Sequence, residues 1–311
     1  MASTKVEIPT IDFCNHQDLK PNTSLWESTK VQVFEALKEF GCFVAIYDKV
    51  PNDIEHAMFD TFKEVCDLPL SKLKEYIDKP YHIYDKQIPR NPTYSTVRSA
   101  DLLLPNSVET FANTFWPHGE KPNICNVVKS YYKPLMELDE MVRKMVLESL
   151  GLQNYIDEFF DGNSYLLRFT NYKAIQGDDG KIPGLGPHTD GSYLTIITQD
   201  QNGLQVNKNG EWIDFNTTPN SYVVLSSDAF KAWTNGKISA AVHRVDISGD
   251  NDRLSIQLFS TPNPVYTVEA PKELVDEVHP LLFKPFKMLD YYAYVLSGAK
   301  KGVGLKYFCG V

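Results

Sequence analysis

The sequence predicts a mainly β protein with helical cover, because the residue pattern changes near residue 163. Before that point, three long segments carry apolar residues at helical spacing. From about residue 163 to 268, short segments rich in β-branched and aromatic residues alternate with turn residues. These strand candidates are SYLLRFTNYKAI, SYLTIITQD, GLQVNKNGEWIDF, SYVVLSS, SAAVHRVDI and RLSIQLFSTP. Consecutive short strands that are joined by turns predict a mainly antiparallel sandwich or barrel.

The region 1–120 is predicted to be mixed and mostly helical. VEIPTIDF and GCFVAIYDKV are strand candidates, and the helix candidate WESTKVQVFEALKEFG between them ends at Gly41, a residue suited to a C-cap. PNDIEHAMFDTFKEVCDLP is the next helix candidate. From Tyr81 to Pro122 the chain is rich in Pro, Asn and Ser, which predicts irregular structure of the kind that often covers active sites.

The rest of the chain divides into three further regions. Region 121–162 contains VKSYYKPLMELDEMVRKMVLESLG, a long amphipathic helix pattern that ends in Gly151. Region 163–268 holds the strand candidates, and its Asn209-Gly210 pair is a strong hairpin signal. Region 269–311 predicts helical or mixed cover. Because no repeat or low-complexity linker separates the four regions, we expect them to form one compact unit.

Charge and cysteine content argue against several classes of function. The net charge is −9, and the 31 basic residues do not cluster, so we expect no nucleic-acid partner. Five scattered cysteines without a C-x-x-C pair indicate reduced thiols. No segment approaches the length of a membrane span, and the first residues lack the apolar run of a secretory signal. We therefore expect a cytoplasmic protein without a membrane partner.

Two of the seven histidines, His188 and His243, lie in the predicted β region. Asp190 follows His188 by two residues, and alternate side chains of a strand point to the same side. Two histidines and one carboxylate can occupy one face of an Fe(II) ion and leave its other positions open, as in non-haem iron oxygenases. The alternative for each histidine is a satisfied core residue, which is what a single strand histidine usually is.

A second polar pattern lies in the strand candidate NDRLSIQLFSTP. Arg253 and Ser255 share one strand face with Gln257 and Phe259. A cation on an inward face costs free energy unless an anion meets it, and arginine can bind a carboxylate through two parallel hydrogen bonds. Taken alone, this segment leaves open a structural ion pair or an outward-facing arginine on an edge strand.

Together these motifs resemble those of the plant-type 2-oxoglutarate/Fe(II)-dependent dioxygenases. The resemblance covers nearly the whole chain and implies a distorted double-stranded β-helix, or jelly roll, with an N-terminal helical extension. A narrower resemblance points to the branch that contains the glucosinolate side-chain (alkenyl- and hydroxyalkyl-producing) dioxygenases and steroidal glycoalkaloid hydroxylases. The matching segments are IPTIDF, GCFVAIYDKV, GLGPHTDGSYLT, GLQVNKNGEWIDF, WTNGKISAAVHRV and RLSIQLF for the family, and GCFVAIYDKV, FWPHGE and VEAPKELVDEVHPLLFKPF for the branch.

The resemblance implies a role for each polar residue of these motifs. His188, Asp190 and His243 would bind Fe(II), and Arg253 and Ser255 would hold the distal carboxylate of 2-oxoglutarate. O2 would be the oxidant, and ascorbate is a candidate stimulant. The reaction would hydroxylate or desaturate a largely apolar small molecule of plant specialised metabolism and release succinate and CO2. We expect the enzyme to be a monomer.

The family also places a tyrosine on the distal carboxylate, and the matching position is Tyr172 in LRFTNYKAIQG. The surrounding residues depart from the family pattern, because Thr170 replaces the usual Asn and Lys173 replaces the usual Pro. Asn171 is therefore a second candidate for the same role.

Four aromatic residues are candidates for the substrate wall. Phe259 shares a strand face with Arg253, Trp233 precedes the TNG turn, and Tyr193 closely follows the expected metal ligands. Phe115 lies in FANTFWPHG, a lid candidate. Core packing is the competing interpretation for each of them, least so for Phe259.

Two alternative functions remain open from the sequence. The first is an Fe(II) oxidase of the same fold that does not use 2-oxoglutarate. The second is a non-catalytic protein that binds a small ligand in the same barrel. Iron retention and succinate production distinguish these alternatives from a dioxygenase.

Overall fold

A seven-stranded and a four-stranded sheet organise the part of the chain that the structure describes, which comprises residues 6–68, 94–99, 101–174, 182–247, 251–297 and 304–311. The structure is a computed structural model. Its strands are β1 (Thr10–Asp12), β2 (Cys42–Ile46), β3 (Tyr94–Arg98), β4 (Asn163–Tyr172), β5 (Ile182–His188), β6 (Leu194–Gln199), β7 (Leu204–Lys208), β8 (Glu211–Asp214), β9 (Ser221–Ser226), β10 (His243–Ile247), β11 (Arg253–Pro262), β12 (Thr267–Val268) and β13 (Phe286–Lys287).

Helices precede the barrel strands and follow them. They are α1 (Ser24–Glu39), α2 (Asn52–Cys66), α3 (Ser107–Phe115), α4 (Ile124–Ser149), α5 (Ile156–Asp161), α6 (Asp228–Trp233), α7 (Met288–Leu296) and α8 (Gly304–Cys309). Short 3-10 turns lie at Gln153–Tyr155 and Lys272–Leu274. Among the helices described, none combines the length and the apolar character that crossing a membrane requires.

The strand order has the alternation of a jelly roll. The larger sheet has the order β1-β2-β9-β6-β11-β4-β3, and the smaller sheet has the order β5-β10-β7-β8. From β4 to β11 the chain therefore passes back and forth between the two sheets, with β7 and β8 forming one hairpin. The fold is the distorted double-stranded β-helix that the sequence resemblance implied. The N-terminal strands β1, β2 and β3 extend the larger sheet at its two edges.

The two faces of β11 separate the core from the space between the sheets. Leu254, Ile256 and Leu258 belong to the large apolar cluster that also includes residues of α1, α2 and α4. The alternate residues, including Arg253 and Ser255, face a cleft between the sheets. The predicted division of this strand is thus confirmed, because a period of two directs successive side chains to opposite sides.

Turn and helix-end signals in the sequence were reliable. Gly41 and Gly151 follow α1 and α4 with φ values of +71° and +72°, the left-handed conformation that glycine supplies at a helix C-terminus. Asn209 and Gly210 have φ values of +54° and +90° in the turn that joins β7 to β8. Both positive values fit the hairpin that the Asn-Gly pair predicted.

Regular structure also forms in two segments that lie outside the helix and strand candidates. Within the described part of Tyr81–Pro122, the chain forms β3 and α3. The Gly/Pro-rich stretch before His188 forms β5, an edge strand that pairs with β10. An edge strand tolerates proline because one side of it forms no ladder. For β3 and β5, pairing with a distant strand overrides local composition.

Candidate active site

Strand pairing brings the two predicted histidine ligands together. β5 and β10 are antiparallel with His243 directly opposite His188, and the two ring centroids are 4.2 Å apart. Asp190 lies two residues beyond the end of β5, so its side chain reaches the histidines from a loop. The expectation that His188 and Asp190 share a strand was wrong. One potential ligand atom from each of the three residues nevertheless lies within 4.8 Å of the others, a spacing that suits one metal ion.

Backbone carbonyls orient both imidazoles. Nδ1 of His188 lies 2.9 Å from the carbonyl oxygen of Gly186, and Nδ1 of His243 lies 3.0 Å from that of Ala241. A proton on each Nδ1 satisfies these carbonyls and leaves the lone pair on Nε2. Each Nε2 is 3.8 Å from a different carboxylate oxygen of Asp190. The lone pairs thus face the carboxylate across a space that suits an ion.

The loop that carries Asp190 is held by hydrogen bonds from neighbouring elements. Thr195 Oγ1 donates to Asp190 Oδ2 at 2.7 Å, and the backbone N–H of Asp228 donates to the Asp190 carbonyl at 2.9 Å. The Asp228 carboxylate accepts hydrogen bonds from Thr189 Oγ1 at 2.9 Å and from the Tyr291 hydroxyl at 2.5 Å. Asp228 therefore connects the loop between His188 and Asp190 to α7.

Electrostatics favour the protonation states that bind a divalent metal. Burial, together with the neighbouring His243, lowers the pKa of His188 to about 3. Burial disfavours the charged form of Asp190, but His243 and His188 outweigh it and hold the pKa of that carboxyl below its ordinary value. A neutral imidazole and an ionised carboxylate are the forms that coordinate metal. His188 and Asp190 thus fit Fe(II) in charge, and all three residues fit it in geometry.

A buried guanidinium with an unused donor lies in the same cleft. Arg253 is 2% exposed and is opposite Tyr172 in the pairing of β11 with β4. Its Nη2 donates to Gln199 Oε1 at 2.5 Å and its Nε to the Gln201 carbonyl at 3.2 Å. Its Nη1 is buried without a partner among the described residues. A buried cationic donor in that state fits a carboxylate ligand.

Ser255 belongs to a short chain of hydrogen bonds beside Arg253. Gln257 Nε2 donates to Ser255 Oγ at 2.6 Å, and Thr170 Oγ1 donates to Gln257 Oε1 at 3.2 Å. Because Ser255 Oγ accepts from Gln257, its own proton is left for another acceptor. All three of these residues line the cleft.

Tyr172 and Asn171 face opposite sides of β4. Tyr172 lines the cleft, where its ring centroid is 5.1 Å from Cζ of Arg253. Asn171 is buried but does not line it, and its Nδ2 is 3.5 Å from Asp252 Oδ2. The alternative role of Asn171 was therefore wrong, because strand alternation turns it away.

Two glycines allow close packing around these groups. Gly203 has φ +138°, and a Cβ there would lie 2.5 Å from the carbonyl oxygen of Asp246 and 3.2 Å from Nε of Arg253. A Cβ on Gly184 would lie 2.9 Å from Cδ1 of Tyr172. Neither glycine is recognisable as a site residue from the sequence, because the residues that leave no room for a Cβ are distant in the chain.

The cleft contains about 460 Å³ of empty space, part of it open to solvent. Phe259 lines it, as the sequence analysis expected. Further apolar or aromatic lining residues are Tyr94, Leu185, Ile197, Leu204 and Val245. His188, Asp190, His243 and Arg253 thus share one space with an apolar wall.

The other three aromatic candidates for the substrate wall do not line this cleft. The ring centroids of Tyr193 and Trp233 are each 4.5 Å from that of Phe159. Phe115 packs against Phe111 with a centroid separation of 5.0 Å. All are buried in the apolar cluster on the helical side of the larger sheet. Their placement in the substrate wall was wrong, because these rings are buried against other rings of the core.

Arg168 is a lining residue that the sequence analysis missed. It lies on the cleft side of β4, two and four residues before Thr170 and Tyr172. Like Arg253, Arg168 is a cation on the inward face of a predicted strand. That signal was present in the sequence.

Comparison with known proteins agrees with this geometry. Residues 162–262 match the family model of the 2OG-Fe(II) oxygenase superfamily. The chain is 35% identical over 298 residues to a probable 2-oxoglutarate-dependent dioxygenase, AOP1.2, of Arabidopsis thaliana. That alignment covers 93% of this chain and 91% of the relative.

Two solved structures have the same overall fold. The dioxygenase for auxin oxidation (DAO) of rice has a TM-score of 0.83 and 28% identity, with 98% of this chain and 100% of that chain covered. The complex of AtDAO1, dioxygenase for auxin oxidation 1 from Arabidopsis thaliana, with 2-oxoglutarate has a TM-score of 0.76 and 25% identity. This second match covers 88% of this chain and 100% of that chain.

Proposed function

We propose residue roles and a substrate class for this protein. The chain belongs to the superfamily of 2-oxoglutarate- and Fe(II)-dependent oxygenases. It is a dioxygenase that uses Fe(II), 2-oxoglutarate and O2. Within this family it hydroxylates or desaturates a largely apolar small molecule of plant specialised metabolism. Succinate and CO2 are the co-products. The AOP1.2 relative from Arabidopsis thaliana supports a plant context for the substrate.

The observation that carries the proposal is the position of two ligand sites in one cleft. His188, Asp190 and His243 hold the iron, and their ligand atoms converge within 4.8 Å. Arg253, whose Nη1 has no partner among the described residues, lines the same cleft. A dicarboxylate such as 2-oxoglutarate, which chelates a metal at one end, requires a metal site beside a buried cation that binds its other carboxylate.

Three side chains hold the far carboxylate of 2-oxoglutarate in this proposal. Arg253 supplies a charge-assisted hydrogen bond through Nη1 and the Ser255 hydroxyl supplies a second donor. The Tyr172 hydroxyl is the third donor. Burial raises the pKa of Tyr172, which keeps its hydroxyl protonated and able to donate.

The bound iron and 2-oxoglutarate supply the oxidising chemistry, and the protein supplies position and surroundings. The carbonyls of Gly186 and Ala241 keep the two imidazoles in the tautomer with a free Nε2. Thr195 holds the Asp190 carboxylate in place through its hydroxyl. The apolar wall that includes Phe259 contacts the apolar part of the substrate.

An anaerobic titration tests the proposal. The apo-protein receives Fe(II) and then 2-oxoglutarate, and the visible metal-to-ligand charge-transfer band is recorded. We expect the band in the wild type and its loss in His243→Ala. Iron binding without a band favours the oxidase that does not use 2-oxoglutarate, and failure to bind iron favours the non-catalytic binding protein.

A further inference from the structure

Arg168 places a second positive charge in the cleft. Its side chain is half-buried and lines the cleft with Phe259, whose ring centroid is 5.8 Å from the guanidinium carbon. Its Nε donates to Thr96 Oγ1 on the neighbouring strand at 3.2 Å. The hydrogen bond from Nε and the contact with the Phe259 ring together orient the guanidinium.

The terminal nitrogens of Arg168 have no partner within the described part of the chain. No described carboxylate lies within ion-pair distance of the side chain, and its one hydrogen bond there uses Nε. A guanidinium that is partly removed from water without an ion-pair contact carries a desolvation cost. An anionic group of a ligand would offset that cost, and the two terminal nitrogens match a carboxylate.

The position of Arg168 differs from that of the proposed 2-oxoglutarate carboxylate site. Strand register places Arg253 opposite Tyr172, whereas Gln257 is opposite Arg168. The two rows are four residues apart, which corresponds to about 13 Å along an extended strand. A five-carbon diacid is shorter than this separation. Strand register thus separates the backbone position of Arg168 from that of Arg253.

A second guanidinium lies in the same row of the sheet. β3 pairs with β4 so that Arg98 is directly opposite Arg168. Arg98 has contacts of its own and is not among the residues that line the cleft, so among the described residues this row contributes one guanidinium, that of Arg168, to the cleft.

We propose that Arg168 binds a carboxylate of the substrate, so that the substrate is an apolar molecule that carries one carboxylate group. Phe259 contacts the apolar part beside that carboxylate. This inference rests on the proposed function and narrows its substrate class. Arg168 is then a specificity-determining residue of the site.

Binding of matched acids and amides tests this inference. The holoprotein, loaded with Fe(II) and 2-oxoglutarate without O2, is titrated calorimetrically with phenylacetate, indole-3-acetate and octanoate, and with the three corresponding primary amides. The proteins compared are the wild type, Arg168→Gln, Arg168→Lys and the control Lys49→Gln, which removes a surface charge paired with Glu137. The charge-transfer band measures the affinity for 2-oxoglutarate in each protein.

We expect the wild type and the control to bind at least one acid about tenfold or more tightly than its amide. Arg168→Gln abolishes that preference and leaves the affinity for 2-oxoglutarate within about twofold of the wild type. Arg168→Lys retains part of the preference, because lysine keeps the charge without the paired donors.

Three results would overturn the inference. The wild type binds none of the acids more tightly than its amide, or the preference survives in Arg168→Gln. The third is a loss of affinity for 2-oxoglutarate in Arg168→Gln with the acid preference unchanged, which assigns the arginine to the co-substrate. Absence of the band in the wild type contradicts the proposed function itself, whereas a normal band without acid preference contradicts only this inference.

Discussion

Arg253 and Tyr172 are direct partners across β11 and β4, and the guanidinium carbon lies 5.1 Å from the tyrosine ring centroid. Their separation along the chain is large, yet they meet at one end of the cleft. The pairing places a buried positive charge and a phenolic hydroxyl beside Ser255, with Gly203 and Gly184 leaving room for both side chains. Much of the proposed co-substrate site therefore depends on the register of a single strand pair.

Removal of the Arg253 side chain should chiefly weaken binding of 2-oxoglutarate. We expect Arg253→Ala to raise its Kd about 100-fold or more, because charge-assisted hydrogen bonds to a buried carboxylate are lost. Tyr172→Phe removes one neutral donor and should raise the Kd about fivefold. Anaerobic titration of the charge-transfer band measures both values. Unchanged 2-oxoglutarate affinity in Arg253→Ala would remove this residue from the site.

Replacement of a proposed iron ligand should abolish turnover without unfolding the protein. We expect His188→Ala and Asp190→Ala each to lower iron affinity and succinate formation by more than about 100-fold, since even outer groups of metal sites alter affinity by 10–100-fold. Iron content and succinate release are the measurements, and circular dichroism monitors the fold. His279→Ala is the control, because that histidine is exposed and pairs with Asp276. Full activity in His188→Ala would show that the site assignment is wrong.

The Tyr291 hydroxyl should position the iron ligands through Asp228. Tyr291→Phe removes the hydrogen bond to Asp228, whose backbone N–H and carboxylate hold the loop between His188 and Asp190. We expect iron affinity to fall about tenfold while the affinity for 2-oxoglutarate of the iron-saturated protein stays unchanged.

Tyr294→Phe is the matched control for this loop. Its ring packs against Phe308 in the same helix region, and its hydroxyl forms no hydrogen bond among the described residues. Equal iron affinities in the two variants would contradict a positioning role for Tyr291.

The buried pair of Arg143 and Asp139 should be a large contributor to stability. Arg143 is fully buried, and its Nε and Nη2 donate to Asp139 Oδ2 at 2.8 and 2.5 Å. Ser260 Oγ on β11 also donates to Asp139, at 2.6 Å, so the network ties α4 to the larger sheet. Arg143→Met leaves the carboxylate buried without its cation and should lower the free energy of unfolding by about 3–5 kcal/mol.

Denaturant unfolding measures that change. Lys38→Met provides the comparison, because it breaks the exposed pair with Glu35 and should have little effect. If both variants unfold at the same denaturant concentration as the wild type, the buried pair is not a determinant of stability.

Local patterns were sufficient for most secondary-structure elements. Helix ends at Gly41 and Gly151 and the hairpin at Asn209-Gly210 follow from backbone preferences that neighbouring residues determine. The separation of β11 into core-facing and cleft-facing residues follows from strand alternation. The roles of His188, His243 and Arg253 came from resemblance to a family, and the structure places these side chains in one cleft.

Local patterns failed where a distant partner decides the outcome. The segment that forms β5 is rich in Gly and Pro and was not among the strand candidates, but pairing with β10 makes it a strand. Trp233 and Tyr193 looked like wall residues from their place in the chain, but both pack against Phe159 in the core. Arg168 carried the same signal as Arg253 and was overlooked.

The sequence by itself determined the family of this protein, its jelly-roll fold and the residue types that can bind iron and a dicarboxylate. These properties reside in the identity and order of residues along the chain. Only the tertiary structure decided that Asp190 meets the histidines from a loop and that Arg168 lies in the same cleft without an ion pair among the described residues. Both depend on strand register and on which sheet face each residue occupies, which are set by contacts between residues far apart in the sequence.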